Sequence, residues 1–314
     1  MANLKELAKR PEVLCGGHRL CAGCTLSTAA RMVLHATDKP VVVGAATGCF
    51  EVATTIYPYT AWRSPFIHNA FENVAPTMSG VEAAYEALSR RGKVSGERVF
   101  VAFGGDGALY DIGFGSLSGA LERGHKMVVV CLNNSAYMNT GIQRSGATPR
   151  CADTTTAPVG AASTGKQQFE KDLTAIVAAH GIPYVAQSSV GDWNDLVSKS
   201  EKAFAANGPA FINVLVPCTR GWRYDPAAGI DLAQEAFTSC YWPNYEVEGG
   251  VWRVKKPKEH TPLVDWLKKQ GRFRHLFKKG NEHLLAELQA YVDRKWEKLL
   301  QMESCMGGAE QKKQ

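Results

Sequence analysis

An α/β architecture with a mostly parallel sheet flanked by helices is what this sequence predicts, and three observations predict it. Brief apolar runs recur at 40–45, 98–103, 127–132, 183–187 and 210–216, each of a length suited to a strand buried on both faces. Helix-period segments stand between them, near 22–35, 80–91, 117–123, 169–179 and 193–206. Glycine- and asparagine-rich turns follow the second and third runs, where a parallel sheet gathers its ligands beyond the carboxyl ends of its strands.

Taken in order, the strand at 40–45 follows an Ala-rich helix that starts just behind Cys21 and Cys24. The helix at 80–91 sets Val81, Ala84, Tyr85 and Leu88 at helical spacing. The stretch 133–168, rich in Gly, Ser, Thr and Pro, is too long for a simple connector and reads as an ordered functional excursion. After 216 the regular pattern weakens. Residues 227–258 are expected to wrap the core or a partner, and 282–301 to form a surface helix with a frayed tail that includes Cys305. Tyr241, Trp242, Tyr245 and Trp252 read equally as a seal against a partner and as intrachain packing. The chain therefore divides into an N-terminal segment and helix (1–39), an α/β core (40–226) and a C-terminal extension (227–314).

The 314 residues can bury a substantial core, and no apolar run is long enough to span a bilayer. The first residues lack the apolar run and cleavage pattern of a secretory signal, so the expectation is a cytoplasmic protein without a membrane partner. Nine cysteines in such a chain favour metal ligation or buried thiols over a disulfide framework. The net charge of +6 is concentrated in one place: residues 251–300 carry 13 Lys or Arg against 6 Asp or Glu. That points to a solvated or partner-facing extension rather than to nucleic acid.

The strongest local constellation is Gly104-Gly105-Asp106-Gly107 directly after an apolar strand. Its glycines let phosphate approach the backbone, and Asp106 offers a hard oxygen ligand to a divalent ion. Asn133-Asn134 follow after 25 intervening residues, behind the next strand, so two adjacent strand ends converge. A Gly-Asp-Gly triplet alone also makes an ordinary turn, but the second half of the pattern weighs against that. Nor is there a complete G-x-G-x-x-G nicotinamide fingerprint.

This arrangement resembles the thiamine-diphosphate motif. The resemblance implies that Asp106, the Asn134 side chain and the Ala136 carbonyl bind Mg²⁺, with Thr47, Gly48, Cys49, Gly105, Gly107 and Asn139 beside the cofactor. The following loop, 137–149, resembles that of the 2-oxoacid:ferredoxin oxidoreductases and suggests Asn139 and Arg144 as catalytic candidates. Arg144 reads equally as a surface or intersubunit ion-pairing residue.

Cys21 and Cys24 form a C-x-x-C pair; Cys49 lies 25 residues beyond, and Cys218 follows a later strand. Folding of an α/β core can bring these four soft ligands together, for a structural zinc or for an iron-sulfur cluster. The same family resemblance, which runs from about His18 to Trp222, selects one 4Fe-4S cluster for the four. Cys131 reads as a core thiol, Cys15 and Cys240 as packing or cluster surroundings, Cys151 as a loop or site-lining residue, and His18 as an ordinary or cofactor-facing histidine.

In this family thiamine diphosphate supplies the cleavage chemistry and clusters take the electrons. The resemblance also implies a partner subunit carrying the aminopyrimidine-binding domain, a further cluster-carrying subunit or domain, and ferredoxin as acceptor. Asn133 and Arg150-Cys151 depart from the pyruvate-type loop. Across the resembling span the chain looks closest to the oxalate oxidoreductase beta branch, converting oxalate to two CO₂, with pyruvate:ferredoxin oxidoreductase as the alternative and a non-catalytic zinc-bearing assembly subunit as the alternative of another class. Glu51 and Arg150 are pocket suspects with structural roles equally open.

Overall fold

A computed structural model describes residues 3–307. Its elements run α1 (Leu4–Leu7), α2 (Leu26–Leu34), β1 (Val41–Ala46), α3 (Cys49–Thr54), β2 (Phe66–Asn69), α4 (Val74–Arg90), β3 (Val99–Gly105), α5 (Phe114–Glu122) and β4 (Val128–Asn133). Then come the two-residue β5 (Val159–Gly160) and β6 (Ser163–Thr164), followed by α6 (Leu173–Ala178), β7 (Tyr184–Ser189), α7 (Trp193–Ala205), β8 (Ala210–Leu215) and α8 (Gly229–Thr238). The chain closes with β9 (Tyr245–Glu248), β10 (Val251–Val254), α9 (Leu263–Lys268) and α10 (Glu282–Met306).

Eight strands form one sheet in the order β10-β9-β7-β8-β4-β3-β1-β2, parallel except for β9 and β10. Every residue of β4, β7 and β8 is buried, which is why these strands read as continuous apolar or small-residue runs instead of alternating ones. Two apolar clusters pack on the two faces. Leu26, Ala29, Ala30 and Val33 of α2 meet Val43, Val101 and Val130, while Met78 of α4 and Leu117 of α5 meet Ala102, Val129 and Phe211.

The structure departs from the sequence expectations where packing overrides local pattern. Helix α4 begins at Val74, ahead of the expected 80, because Val74, Ala75 and Met78 already face the core. Helix α6 is shorter than expected, starting where the Asp172 side chain caps the Ala175 amide. Residues 227–258 hold α8 and an antiparallel hairpin that extends the sheet edge, joined to β7 through β9. Tyr241, Trp242, Tyr245 and Trp252 are all buried within the chain, with Tyr241 stacked on Trp266 at 4.4 Å and Tyr245 on Trp252 at 5.5 Å. Their role here is intrachain packing. Cys305 lies in the last turn of α10 rather than in a frayed tail. Among the described residues no helix is long and apolar enough to cross a membrane.

Candidate functional site

Four adjacent parallel strands, β8, β4, β3 and β1, end side by side, and each is followed within three residues by a residue singled out above. Cys218 follows β8, Asn134 follows β4, Asp106 follows β3, and Thr47-Gly48-Cys49 follow β1. Cys21 and Cys24 reach the same rim from the N-terminal segment, where the buried Thr25 hydroxyl donates to the Pro217 carbonyl at 3.1 Å. Gly23, at φ +69, makes the turn between the pair; a Cβ there would sit 2.3 Å from the Pro226 carbonyl oxygen.

Asp106 is fully buried. Its Oδ1 accepts the Asn134 amide at 3.2 Å, and its Oδ2 accepts the Ser145 hydroxyl. Burial pushes its carboxyl up to about 7, opposed by the Ser145 and Asn134 hydrogen bonds. The Asn134 side chain points back at the same place. Its amide nitrogen can stand 2.9 Å from the Ala136 carbonyl and 3.1 Å from Asp106 Oδ1; turned over, the amide puts its oxygen there, and three oxygens converge. A hard divalent cation wants such a donor set. The bend that aims both Asn134 and the Ala136 carbonyl inward is Ser135 in the left-handed region, at φ 67.

Gly107 opens a π-helical segment, 107–112, and has no room for a side chain: a Cβ would lie 2.3 Å from the Tyr137 ring. The Tyr137 hydroxyl donates to the Gly107 carbonyl at 2.9 Å. Gly105 has open space above it and faces a cavity of about 40 Å³ that Thr47, Gly48, Cys49, Asp106, Gly107, Asn134, Ala136 and Asn139 also line. The Thr47 hydroxyl is engaged with the Asn69 carbonyl at 2.7 Å.

A second cavity, about 210 Å³, is lined by Cys21, Cys24, Cys49 and Cys218. Asn134, Asn139 and Cys49 belong to both walls, so the two cavities adjoin. As free thiols three of the cysteines are kept neutral: burial pushes Cys24 up to about 11 and Cys49 up to about 12, and it also raises Cys218. Among the described residues no group of three or more His, Cys, Asp or Glu side chains is set closely enough for a single metal ion.

Other candidates lie elsewhere. Arg144 is exposed, lines neither cavity, and engages the chain through its backbone amide to Thr156 Oγ1 at 2.9 Å. Glu51 is buried on α3 against His68 and the Thr55 hydroxyl, outside both cavities. Cys131 and Cys151 are fully buried, whereas Cys15, Cys240 and His18 line neither cavity. Sequence reasoning passed over Ser145, whose hydroxyl orients Asp106, and Trp222, whose indole donates to the Asn134 carbonyl at 2.8 Å. Ser145 sits inside the distinctive 137–149 loop, but nothing in its spacing marks its direction.

Two of the residues that depart from the pyruvate-type loop are structural. Asn133 is turned away from the cation cradle: it donates to the Tyr110 hydroxyl at 3.0 Å and accepts the Ser135 amide at 2.9 Å. Arg150 pairs with Glu287 at 3.1 Å, bonds the Gln167 carbonyl and lies over Phe169, tying the loop to α10. Neither side chain lines either cavity.

Residues 46–214 match the family described as thiamine pyrophosphate enzyme, C-terminal TPP binding domain. Pyruvate synthase subunit PorB of Thermotoga maritima is 50% identical over 313 residues, covering 96% of each chain. PorB of Methanocaldococcus jannaschii is 47% identical over 289 residues, covering 91% of this chain and 96% of its own. A solved 2-oxoglutarate:ferredoxin oxidoreductase from Magnetococcus marinus shares the fold, with a TM-score of 0.56 at 18% identity over 74% of this chain and 81% of that one. The near end-to-end match to pyruvate synthase subunits overturns the oxalate oxidoreductase expectation. The chain belongs to the PorB-type family of thiamine pyrophosphate-dependent 2-oxoacid:ferredoxin oxidoreductase subunits.

Proposed function

We propose that this chain is the beta-type subunit of a pyruvate:ferredoxin oxidoreductase, the activity that forms acetyl-coenzyme A and CO₂ from pyruvate or runs in reverse as pyruvate synthase. The observation that carries this reading is the contact between two unlike cavities, one lined by oxygen donors and the other by four thiols, through Cys49, Asn134 and Asn139. It is supported by relatives named for pyruvate at 50% and 47% identity.

In this reading Asp106 Oδ1, the Asn134 side-chain oxygen and the Ala136 carbonyl hold Mg²⁺, and the open face of Gly105 receives the diphosphate. Ser145 keeps Asp106 pointed at the ion. Asn139, on the shared wall, faces the reacting end of the cofactor. When bound, thiamine diphosphate supplies the carbon nucleophile and the electron sink for decarboxylation. A cavity of about 40 Å³ is too small to enclose such a cofactor, which supports a partner subunit closing over its aminopyrimidine half.

Cys21, Cys24, Cys49 and Cys218 hold a 4Fe-4S cluster. Zinc with bonds of about 2.3 Å would draw four sulfurs to within roughly 4 Å of one another. Among the described residues no three of these side chains are set for a single ion, and the 210 Å³ cavity that all four thiols line has room for a cubane. Electrons then leave toward partner-held clusters and ferredoxin.

The test is anaerobic ferredoxin or viologen reduction by the purified complex with pyruvate or oxalate, each with and without coenzyme A. Reduction by pyruvate with coenzyme A is expected. A complex that holds thiamine and iron yet does not respond to pyruvate contradicts the assignment.

A further inference from the structure

Resting on the cluster reading above, we propose that Arg272 is a buried countercharge that sets the reduction potential of the cluster held by Cys21, Cys24, Cys49 and Cys218. Arg272 comes from the C-terminal extension and is 2% exposed. Its guanidinium carbon lies 3.9 Å from the centre of the Trp222 ring, and its Nε donates to the neutral Gln270 side chain at 3.0 Å. Nη2 is buried without a partner, and among the described residues no carboxylate stands within ion-pair distance. Burying a guanidinium in this way is expensive unless anionic charge is brought near.

The surroundings say where that charge arrives. Trp222, the platform under the guanidinium, closes the turn that starts at Cys218, its amide donating to the Cys218 carbonyl at 2.9 Å. Its indole meanwhile holds the Asn134 carbonyl at 2.8 Å. Burial pulls the Arg272 pKa down to about 9, and negative charge at Tyr241, Cys218 and Asp106, in that order, would favour its protonated form. A cubane bound by four thiolates is anionic and gains one more negative charge on reduction. A fixed buried cation nearby, acting through a low dielectric, favours the reduced form. Arg272 touches no ligand and is a positioning residue in the electrostatic sense.

Redox titration of the anaerobic complex, followed by the electron paramagnetic resonance of this cluster, tests the proposal. Arg272→Gln should lower the reduced-to-oxidised ratio at fixed poise by about tenfold, equivalent to about 59 mV for a one-electron couple. Arg272→Lys should keep most of the wild-type potential. Gln270→Glu, which sets a carboxylate against Nε without emptying the cavity, should shift the potential in the same direction as Arg272→Gln and decides the matter if that variant does not assemble. An unchanged potential in a fully iron-loaded Arg272→Gln complex overturns the countercharge, as does an equal shift in Arg272→Lys. A wild-type complex without iron overturns the cluster reading itself, and the countercharge with it.

Discussion

The oxygen cradle and the thiol rim sit at the ends of the same four strands, yet they are built in opposite ways. Asp106, Asn134 and Ala136 are buried, mutually hydrogen-bonded, and backed by Ser145, Thr148 and Tyr137. The four thiols come from three distant stretches, range from half-buried to exposed, and surround open space. An amide that turns over can satisfy the cradle without its ion, so the cradle is preformed. Thiols have no comparable substitute for a cluster, so the rim rests on the backbone positions of β1, β8 and the N-terminal turn.

Substitutions that separate the two regions should have the largest effects. Asp106→Ala is expected to cost at least about a hundredfold in turnover through lost Mg²⁺ and thiamine diphosphate, since even supporting residues of metal sites cost about 10- to 100-fold. Cofactor and iron analysis of the same sample should show the iron retained; parallel loss of iron would mean that the two regions are one cooperative unit. Cys218→Ser should do the reverse, abolishing the cluster signal while Mg²⁺-dependent thiamine binding persists in calorimetry. Ser145→Ala should weaken Mg²⁺ by about tenfold with little change in cluster content. Arg150→Met should leave kcat/KM for pyruvate within about twofold while lowering stability by about 1 kcal/mol through the lost α10 anchor.

The smallest effect concerns Lys166, 2% exposed and answered by the Gly146 and Thr148 carbonyls. Burial pulls its pKa down to about 8. The unfolded chain keeps that proton to about pH 10.4, so between the two values it binds more protons than the fold does. This residue therefore makes stability rise with pH through that window, against the opposite pull of the raised thiols of Cys24 and Cys49. Lys166→Met should remove a rise of about 1 kcal/mol, read as the difference between variant and wild-type unfolding at pH 8 and pH 9.

Much of this arrangement was legible in the sequence because strand ends advertise themselves. Asp106, Asn134, Cys49 and Cys218 each stand within three residues of a strand's end, and a parallel sheet brings such positions together whatever their separation. What was not legible is direction. Asn133 and Asn134 are neighbours, yet one faces Tyr110 and the other the cradle. Arg144 and Arg150 carry visible charge, but one is exposed and the other is bound to α10. Arg272, buried over the Trp222 ring, comes from a basic segment whose composition suggested a solvated or partner-facing surface. Its burial depends on the fold of the extension against Trp222, a contact no local pattern encodes.

The most direct test of two adjoining centres serving one 2-oxoacid is a rapid-freeze experiment on the anaerobic oxidised complex. Pyruvate, added without coenzyme A or external acceptor, should produce the signal of a reduced cluster, and neither Asp106→Ala nor Cys218→Ser should reproduce it. No cluster reduction by pyruvate in a complex with full thiamine and iron, or reduction by oxalate in its place, would contradict the account.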